Sequence, residues 1–322
     1  MYVASAVYAD HAGTANTAAN ALKLGGYDAA AYMRKDEVKT IKSSYETLEW
    51  DGAGTYSWTV PEGVTKINVT TVGGGGGGSM IRTTAYRTTR PLNMYTGGNG
   101  GEVIENVVLN VNTNDVITIR CGQGGRTISH DYQHSMCDGF YPSPSRDWNR
   151  AGGHGEDSYV SINGVQQSAT YAHGGYPGST KLTPNIVLDN ANTPIGYRAI
   201  PNPVYPGGGA GGCPLTLIAV QYLTETNGID GKIGSGGKGT LSSVSVKTGE
   251  LTYHLNPCTG QYEYYVWGGG GGSYGNGLNA DDQIGTVATR GGGGITHNNG
   301  NLLGPAGGDG YIKITYTRLY SD

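Results

Sequence analysis

The chain has 322 residues, of which 58 are glycine, roughly 18% against a usual value of about 7%, and only 14% are charged. Its net charge of −4, with no long run of either sign, excludes the basic footprint of a sequence-independent nucleic-acid binder. No run approaches the 18 or more apolar residues of a membrane span, and residues 1–30 lack the basic start and apolar block of a secretory leader, so membrane insertion is not expected and release by another route, or within a particle, is.

Taken in chain order, residues 1–45 stand apart. Ala12 to Ala21 carry only small or short polar side chains, and Leu22, Leu24, Tyr27, Ala31 and Tyr32 follow before the charged run Arg34 to Glu37. Alanine and leucine favour helix and Gly25-Gly26 interrupts it, which predicts one short helix near Asp28 to Lys35. A helix that short is marginal in water alone, so the segment is expected to pack on a partner chain or on a copy of itself. Residues 1–45 are therefore read as an attachment and oligomerisation segment, and residues 46–322 as one domain.

From Tyr45 onward the signals are almost all β. Tyr56 to Val60, the turn Pro61-Glu62-Gly63 and the alternating run Val64 to Val72 predict a hairpin. Val103, Glu105, Val107, Leu109 and Val111 alternate along a strand, a polar turn over Asn112 to Asp115 follows, and Val116 to Arg120 forms the next strand. Asn163-Gly164, between Ser158 to Ile162 and Val165 to Ala172, is a strong hairpin signal. Further strands are predicted over Leu215 to Leu223, Leu241 to Val246 paired with Leu251 to Leu255, Tyr262 to Trp267, and Tyr311 to Thr317. Ser79 to Thr96 and Arg126 to Arg150 read as long functional loops, and Thr183 to Pro206, with five prolines, as an extended surface excursion.

Most strands run into glycine clusters, beginning with six consecutive glycines at Gly73 to Gly78 and returning at Gly97 to Gly101, Gly122 to Gly125, Gly152 to Gly155, Gly207 to Gly212, Gly234 to Gly239, Gly268 to Gly272, Gly291 to Gly294 and Gly304 to Gly310. A flexible linker would lack the interleaved Val, Ile and Tyr. Polyglycine is a poor α-helix, but it can run as an extended threefold helix of the polyproline II type, and without side chains such helices can approach closely enough to bond to each other. The expected fold is thus all-β: a β-sandwich-like glycine-rich domain with polyglycine II-type helices. Strict Gly-X-Y periodicity is missing, which excludes collagen.

The run Tyr56 to Gly73, Gly97 to Gly101 ahead of a strand, Asp115 to Gly125, and the ending Gly307-Gly308-Asp309-Gly310-Tyr311-Ile312-Lys313-Ile314-Thr315-Tyr316 together resemble the glycine-rich domain of bacteriophage tail-fibre and tail-tip proteins. Ala9 to Ala12 and Leu24 to Met33 are similar to the Ala-rich, Leu-Gly-Gly-containing segments of tail-fibre shafts, which are commonly trimeric. The resemblance implies a virion-borne adhesin, made in the host cytoplasm, that reads a bacterial polysaccharide or outer-membrane protein through variable distal loops. It also implies a homotrimer attached to other tail proteins by its N-terminal segment. The N-terminal part is too short for a full shaft, and a connector or decoration protein of the particle is the other reading.

Chemical motifs are weak. Gly73, Gly75 and Gly78 fit G-x-G-x-x-G after a strand, but no helical pattern follows and the next acid is Glu102, beyond a second glycine cluster. Gly234 to Gly239 lacks the Ser/Thr of a phosphate loop. His130, His134 and Cys137 have a spacing that would suit zinc on a helix, yet Gly124-Gly125, Pro142 and Pro144 make the neighbourhood a loop, where exposed polar contacts are commoner. The adjacent pairs Glu156-Asp157 and Asp281-Asp282 point to opposite faces on a strand, unlike the paired acids of a glycosidase, and no strained nucleophile elbow is seen. No enzyme activity, cofactor or metal is expected. The four cysteines have no C-x-x-C spacing and are expected as free thiols, although their count alone cannot exclude disulfides.

A single Phe140 beside 24 tyrosines suggests a wet aromatic binding surface. The expected receptor contacts are Tyr86 and Tyr95 in the first loop and Tyr132, Phe140, Tyr141 and Trp148 in the second, which offer rigid contact area. Arg82, Arg87, Arg126 and Arg146 would add hydrogen bonds to sugars or carboxylates. The competing role for any one tyrosine is simply to cover the glycine bundle.

Overall fold

The computed structural model describes residues 23–24, 27–28, 41–84, 91–126, 148–184, 196–212, 215–217, 222–224, 227–238, 240–241, 253–255, 262–267, 269–279, 287–295 and 306–321. Two compact units are present, residues 1–44 with 318–322, and residues 45–317. In the first, β1 (Lys23–Leu24) and β2 (Tyr27–Asp28) pair antiparallel, with Lys23 opposite Asp28. Asp28, the expected start of a helix, is thus in a strand, and the rest of that helix lies outside the described residues.

The larger unit is built on two four-stranded antiparallel sheets. One contains β3 (Ile41–Asp51), β20 (Tyr311–Ser321), β5 (Lys66–Val72) and β8 (Val103–Asn110), in that order. The other contains β12 (Val165–Gln166), β11 (Tyr159–Ile162), β9 (Val116–Cys121) and β4 (Gly54–Thr59). Alternation along the strands puts Ile67, Val69, Ile312, Ile314 and Tyr316 of the first sheet against Ile117, Ile119 and Val160 of the second, in one apolar core. Trp50 and Trp58 pack on its margin.

Two turns behave differently from their sequence signals. The run Tyr56 to Val72 is not a hairpin: β4 pairs with β9 and β5 with β8 and β20, so the Pro61-Glu62-Gly63 turn carries the chain from one sheet to the other. The reason lies in the flanking residues. Val60 and Val64 are both fully buried, which a solvent-facing hairpin turn would not allow. Asn112 to Asp115 crosses between the sheets in the same way, with Val111 in the core. Asn163-Gly164 does form the expected hairpin, with Ile162 opposite Val165 and φ of 50° and 81°, as a two-residue turn of this hand requires.

Five strands of the sandwich meet glycine segments at one end. β5 leads into residues 73–78 and β9 into 122–126, while 97–102 precede β8, 152–157 precede β11 and 306–310 precede β20. These segments bond to each other through their backbones. Gly73 and Gly76 donate to Glu102 and Asn99 carbonyls at 3.0 and 2.9 Å, Gly74 and Gly77 to Glu156 and Gly153 at 2.9 and 3.0 Å, and Gly75 to Gly308 at 2.8 Å. Residues three apart therefore address the same neighbour. The carbonyls of Gly74, Gly75, Gly76 and Gly77 accept in turn from Gly175, Gly125, Gly294 and Gly178. Residues 73–78 are thus enclosed by six segments, namely 97–102, 152–156, 307–310, 122–126, 173–178 and 291–294. Residues 269–272 are enclosed likewise by 97–98, 209–212, 228–231, 234–237, 276–279 and 291–294.

Side chains are excluded by distance. A Cβ added to Gly73 or Gly76 would lie 2.0 and 1.9 Å from the carbonyl oxygens of His173 and Tyr176, and one on Gly124 would lie 1.8 Å from that of Gly307. At the lattice margin, where a neighbouring backbone is lacking, short polar side chains accept instead. Ser158 Oγ takes the Gly122 N–H, Asp157 Oδ1 that of Gly174, Asn99 Oδ1 that of Gly211, and Asp309 Oδ1 that of Gly124, all at 2.8–2.9 Å. Asp309 Oδ2 also accepts from Ala53, which explains an aspartate inside the Gly-Gly-Asp-Gly ending. Buried backbone groups demand partners, and this arrangement supplies them with few side chains.

Candidate functional site

A second group of strands leaves the opposite end of the glycine lattice. β6 (Ser79–Thr84) continues residues 73–78, β7 (Pro91–Thr96) returns into 97–102, and β10 (Trp148–Arg150) returns into 152–157. They form the sheet β10-β6-β7-β19-β17 with β19 (Tyr262–Trp267) and β17 (Thr240–Leu241), and β18 (Tyr253–Leu255) also pairs with β19. β13 (Leu182–Pro184), β14 (Gly196–Ala199), β15 (Leu215–Leu217) and β16 (Tyr222–Thr224) make a four-stranded antiparallel sheet, and they too connect to lattice segments or to each other at this end.

Three sequence expectations change here. Ser79 to Thr96 is not a loop but contains the antiparallel pair β6–β7, because Ile81 and Thr83 alternate with Met80, Arg82 and Thr84 as a strand does, and Pro91 stands at a strand start where it is tolerated. Thr183 to Pro206 contains β13 and β14 and so is not a bare excursion. Leu215 to Leu223 is two strands, β15 and β16, paired with each other. Leu241 and Tyr253 to Leu255, expected in a strand pair, both pair with the longer aromatic strand β19, and the rest of that expected pair lies outside the described residues.

The expected contact residues divide accordingly. Tyr95 is a correction: it lies in β7 between β6 and β19, opposite the buried Met80, and at 1% exposure it cannot touch a receptor. Arg82 and Trp148 are direct register partners across β6 and β10. Arg126 is exposed at the end of its glycine segment, where its carbonyl accepts the Gly153 N–H at 2.7 Å. Tyr86, Arg87, Tyr132, Phe140, Tyr141 and Arg146 lie outside the described residues, as do His130, His134 and Cys137. The described residues hold no cluster of His, Cys, Asp or Glu fit for a metal ion and no helix long and apolar enough to cross a membrane.

Sequence reasoning missed the segment 173–178, whose Gly174-Gly175-Tyr176-Pro177-Gly178 was the available signal. It also missed the aromatic ladder this segment organises on the lattice flank. Tyr159 stacks on Tyr171 at 5.7 Å, Tyr171 meets His173 edge-on at 5.1 Å, His173 stacks on Tyr205 at 4.6 Å, Tyr205 on Tyr176 at 5.4 Å, and Tyr176 meets His154 at 4.6 Å. His173 and Tyr176, three residues apart, both stack on Tyr205. The Tyr171 hydroxyl donates to Asp157, which pushes its pKa up to about 12, and the hydrogen bond with Tyr176 does the same for Tyr205. With three stacked and two edge-on contacts among its rings, the ladder packs on itself and reinforces the flank.

A family model described as a glycine-rich domain matches residues 51–317. The chain belongs to this glycine-rich domain family. No curated protein matches it. In this glycine-rich domain a second clasp ties the lattice to the sandwich. Arg290, at φ 41°, lies 4.4 Å over the Tyr311 ring, donates from Nε to Asp51 at 2.8 Å and approaches Glu49 at 3.6 Å. The Asp51 contact raises the Arg290 pKa, and burial, reinforced by a hydrogen bond with Glu49, raises that of the Tyr311 phenol. Of the cysteines, Cys121 is free and buried, and burial pushes its thiol up to about 12; Cys137, Cys213 and Cys258 lie outside the described residues.

Proposed function

We propose that the protein is a bacteriophage tail-fibre or tail-tip adhesin without enzymatic activity, carried on the virion as a homotrimer and joined to other tail proteins through residues 1–45. The observation that carries this reading is the polarity of the glycine-rich domain. Sandwich strands enter the lattice at one end, and residues 85–90, 127–147 and 185–195 are each bounded by chain that belongs to the other. Long connections are thereby placed at one pole of a backbone-bonded block, an arrangement suited to presenting aromatic and arginine-bearing loops to a surface.

The test replaces residues 127–147 by a short Gly-Asn turn. The variant is expected to keep its melting midpoint and to lose adsorption to host bacteria. A folded variant that adsorbs like the parent protein overturns the loop assignment, and parent protein that binds no bacteria favours a connector of the particle.

A further inference from the structure

Residues 234–238 form an outer segment of the lattice, and each backbone N–H in it has a partner. Gly234 and Gly237 donate inward, to the carbonyls of Ser273 and Gly270, both at 2.8 Å. The other three N–H groups go to side chains. Ser235 and Lys238, three residues apart, donate to Asn276 Oδ1 and Asn279 Oδ1, both at 2.9 Å, and Gly236 donates to Asp230 Oδ1 at 2.8 Å. Asn276 and Asn279 belong to the segment on one side of 234–238, to which Gly277 N–H also binds it, and Asp230 to the segment on the other side, joined to it by the N–H groups of Gly228 and Gly231. Each of these side chains therefore spans the groove between two neighbouring segments.

The same device recurs around the outside of the lattice. Asp157 Oδ1 accepts from Gly174 at 2.9 Å, Asp309 Oδ1 from Gly124 at 2.8 Å, and Glu156 Oε2 from Gln123 at 3.3 Å, again from one segment to the next. None of the six side chains is buried. That exposure decides what they do. A buried N–H must find a protein partner, but at a surface water serves nearly as well, so satisfying the backbone does not by itself require Asn, Asp or Glu at these places. What a tethered acceptor does, and water does not, is keep its place when another backbone arrives. A bare outer segment presents unpaired N–H and C=O groups to a further glycine segment, much as the open edge of a sheet presents them to another strand. Inside the lattice, Gly74 and Gly77 donate to carbonyls of one neighbour three residues apart, Glu156 and Gly153. Asn276 and Asn279 offer Ser235 and Lys238 the same spacing with side-chain oxygens. Their own segment can carry side chains at few other places, since a Cβ at Gly275 or Gly277 would lie 2.0 or 2.1 Å from the carbonyl oxygens of Thr289 and Gly270.

We infer that these side chains are edge guards, which fill the grooves where a further glycine segment would lie and so keep copies of this chain from joining lattice to lattice. The partner they exclude is a glycine segment of a second copy, whose backbone donors and acceptors match those of the edge. Four of the six are carboxylates, so a second copy presenting the same edge also meets like charge. Exclusion of a second copy does not depend on the adhesin reading.

The test is sedimentation velocity of the full chain over a range of concentrations. Asn276→Gly combined with Asn279→Gly strips one groove of both acceptors. The double variant is expected to associate beyond the parent protein, with about a doubling or more of the sedimenting mass, increasing with concentration and reversed on dilution. Asn276→Asp combined with Asn279→Asp keeps an acceptor at both positions and should sediment like the parent. Asn114→Gly makes the same chemical change in an exposed turn of the sandwich, at φ 70°, and should also sediment like the parent. Melting midpoints identify variants that have lost the fold, and the single change Asn276→Gly gives the same readout if the double variant does not fold. A folded glycine variant that keeps the parent mass at every concentration overturns the inference. Association of the aspartate variant or of Asn114→Gly protein to the same extent overturns it as well, because association would then not follow from the lost acceptors.

Discussion

Replacing Gly75 by alanine tests whether the close-packed glycine segments hold this protein together. A Cβ at Gly75 would lie 2.0 Å from the Gly292 carbonyl oxygen, 2.5 Å from its carbon and 2.6 Å from the Gly291 oxygen, all backbone atoms with no rotamer to change. Relief needs a retreat of at least ~1 Å to reach an ordinary contact distance. Residues 291–294 cannot move alone, because Gly308 donates to Gly292 at 2.7 Å, Gly294 donates to Gly76 at 2.8 Å and Gly101 donates to Gly291 at 2.8 Å. If two or three such bonds are left unsatisfied in the interior at about 1–3 kcal/mol each, the loss is roughly 2–9 kcal/mol, less about 0.4–1 kcal/mol recovered from the stiffer unfolded chain. That is comparable with the entire stability of an ordinary domain, about 5–15 kcal/mol. The control is Gly164→Ala, where nothing lies within 4 Å of the new Cβ and the cost is only that of a left-handed backbone, about 1–2 kcal/mol. Urea unfolding followed by tryptophan fluorescence reads both changes, since Trp50 and Trp58 pack against the sandwich core. Gly75→Ala protein no less stable than Gly164→Ala protein would refute the reasoning.

Three further changes probe the connections around the lattice. Arg290→Ala removes two part-exposed ion pairs and the contact with Tyr311, and should lower stability by about 1–2 kcal/mol in urea, with much of the difference gone in high salt. The Asp115 carboxylate accepts from Asn112 N–H at 2.7 Å and from Asn163 Nδ2 at 2.8 Å, which holds its pKa below the usual carboxylate value. Its contribution is therefore present above about pH 4 and lost as pH falls through the lowered pKa, so acid titration of the melting midpoint should be shallower in Asp115→Asn protein. Burial raises the Cys121 thiol to about 12, so Cys121 should resist iodoacetamide at pH 8 in native protein and react once urea unfolds it, as peptide mass mapping would show. The stability this thiol contributes is present below its ordinary value near 9 and is lost as pH rises from there through 12.

Strand positions were legible wherever period-two alternation met a turn residue, as at β8, β9, β19 and the Asn163-Gly164 hairpin. Which strands pair was less legible. Pro61-Glu62-Gly63 has the residues of a hairpin turn, and only the burial of Val60 and Val64, a tertiary fact, makes it cross between sheets. The glycine clusters were visible as composition, but segments 173–178, 228–231 and 275–279 carry Tyr, Pro, Ile or Asn among their glycines and read as ordinary loop. Their membership is decided by backbone hydrogen bonds to the neighbouring segments, and side chains are borne only where no backbone lies against them, as at His173 and Tyr176, Asn276 and Asn279, and Ile229. Tyr95 failed as a contact residue for a related reason. An isolated tyrosine in an assumed loop looks exposed, whereas on the central strand of a sheet beside the lattice it is enclosed.

The same physics explains how one pole can vary while the rest is fixed. Within the lattice, recognition between segments is carried by backbone N–H and C=O groups at three-residue intervals, so a single added methyl meets carbonyl oxygens about 2 Å away, well inside ordinary contact distance. A connection at the far pole begins and ends on strands anchored to those segments, and the entropy of closing it grows only slowly, with each doubling of length costing about 0.6 kcal/mol. That increment is smaller than, or similar to, the net worth of one backbone hydrogen bond, about 0.5–1.5 kcal/mol, and many such bonds anchor every segment. Long insertions at residues 85–90, 127–147 or 185–195 are therefore affordable at a point where one methyl group at Gly75 is not.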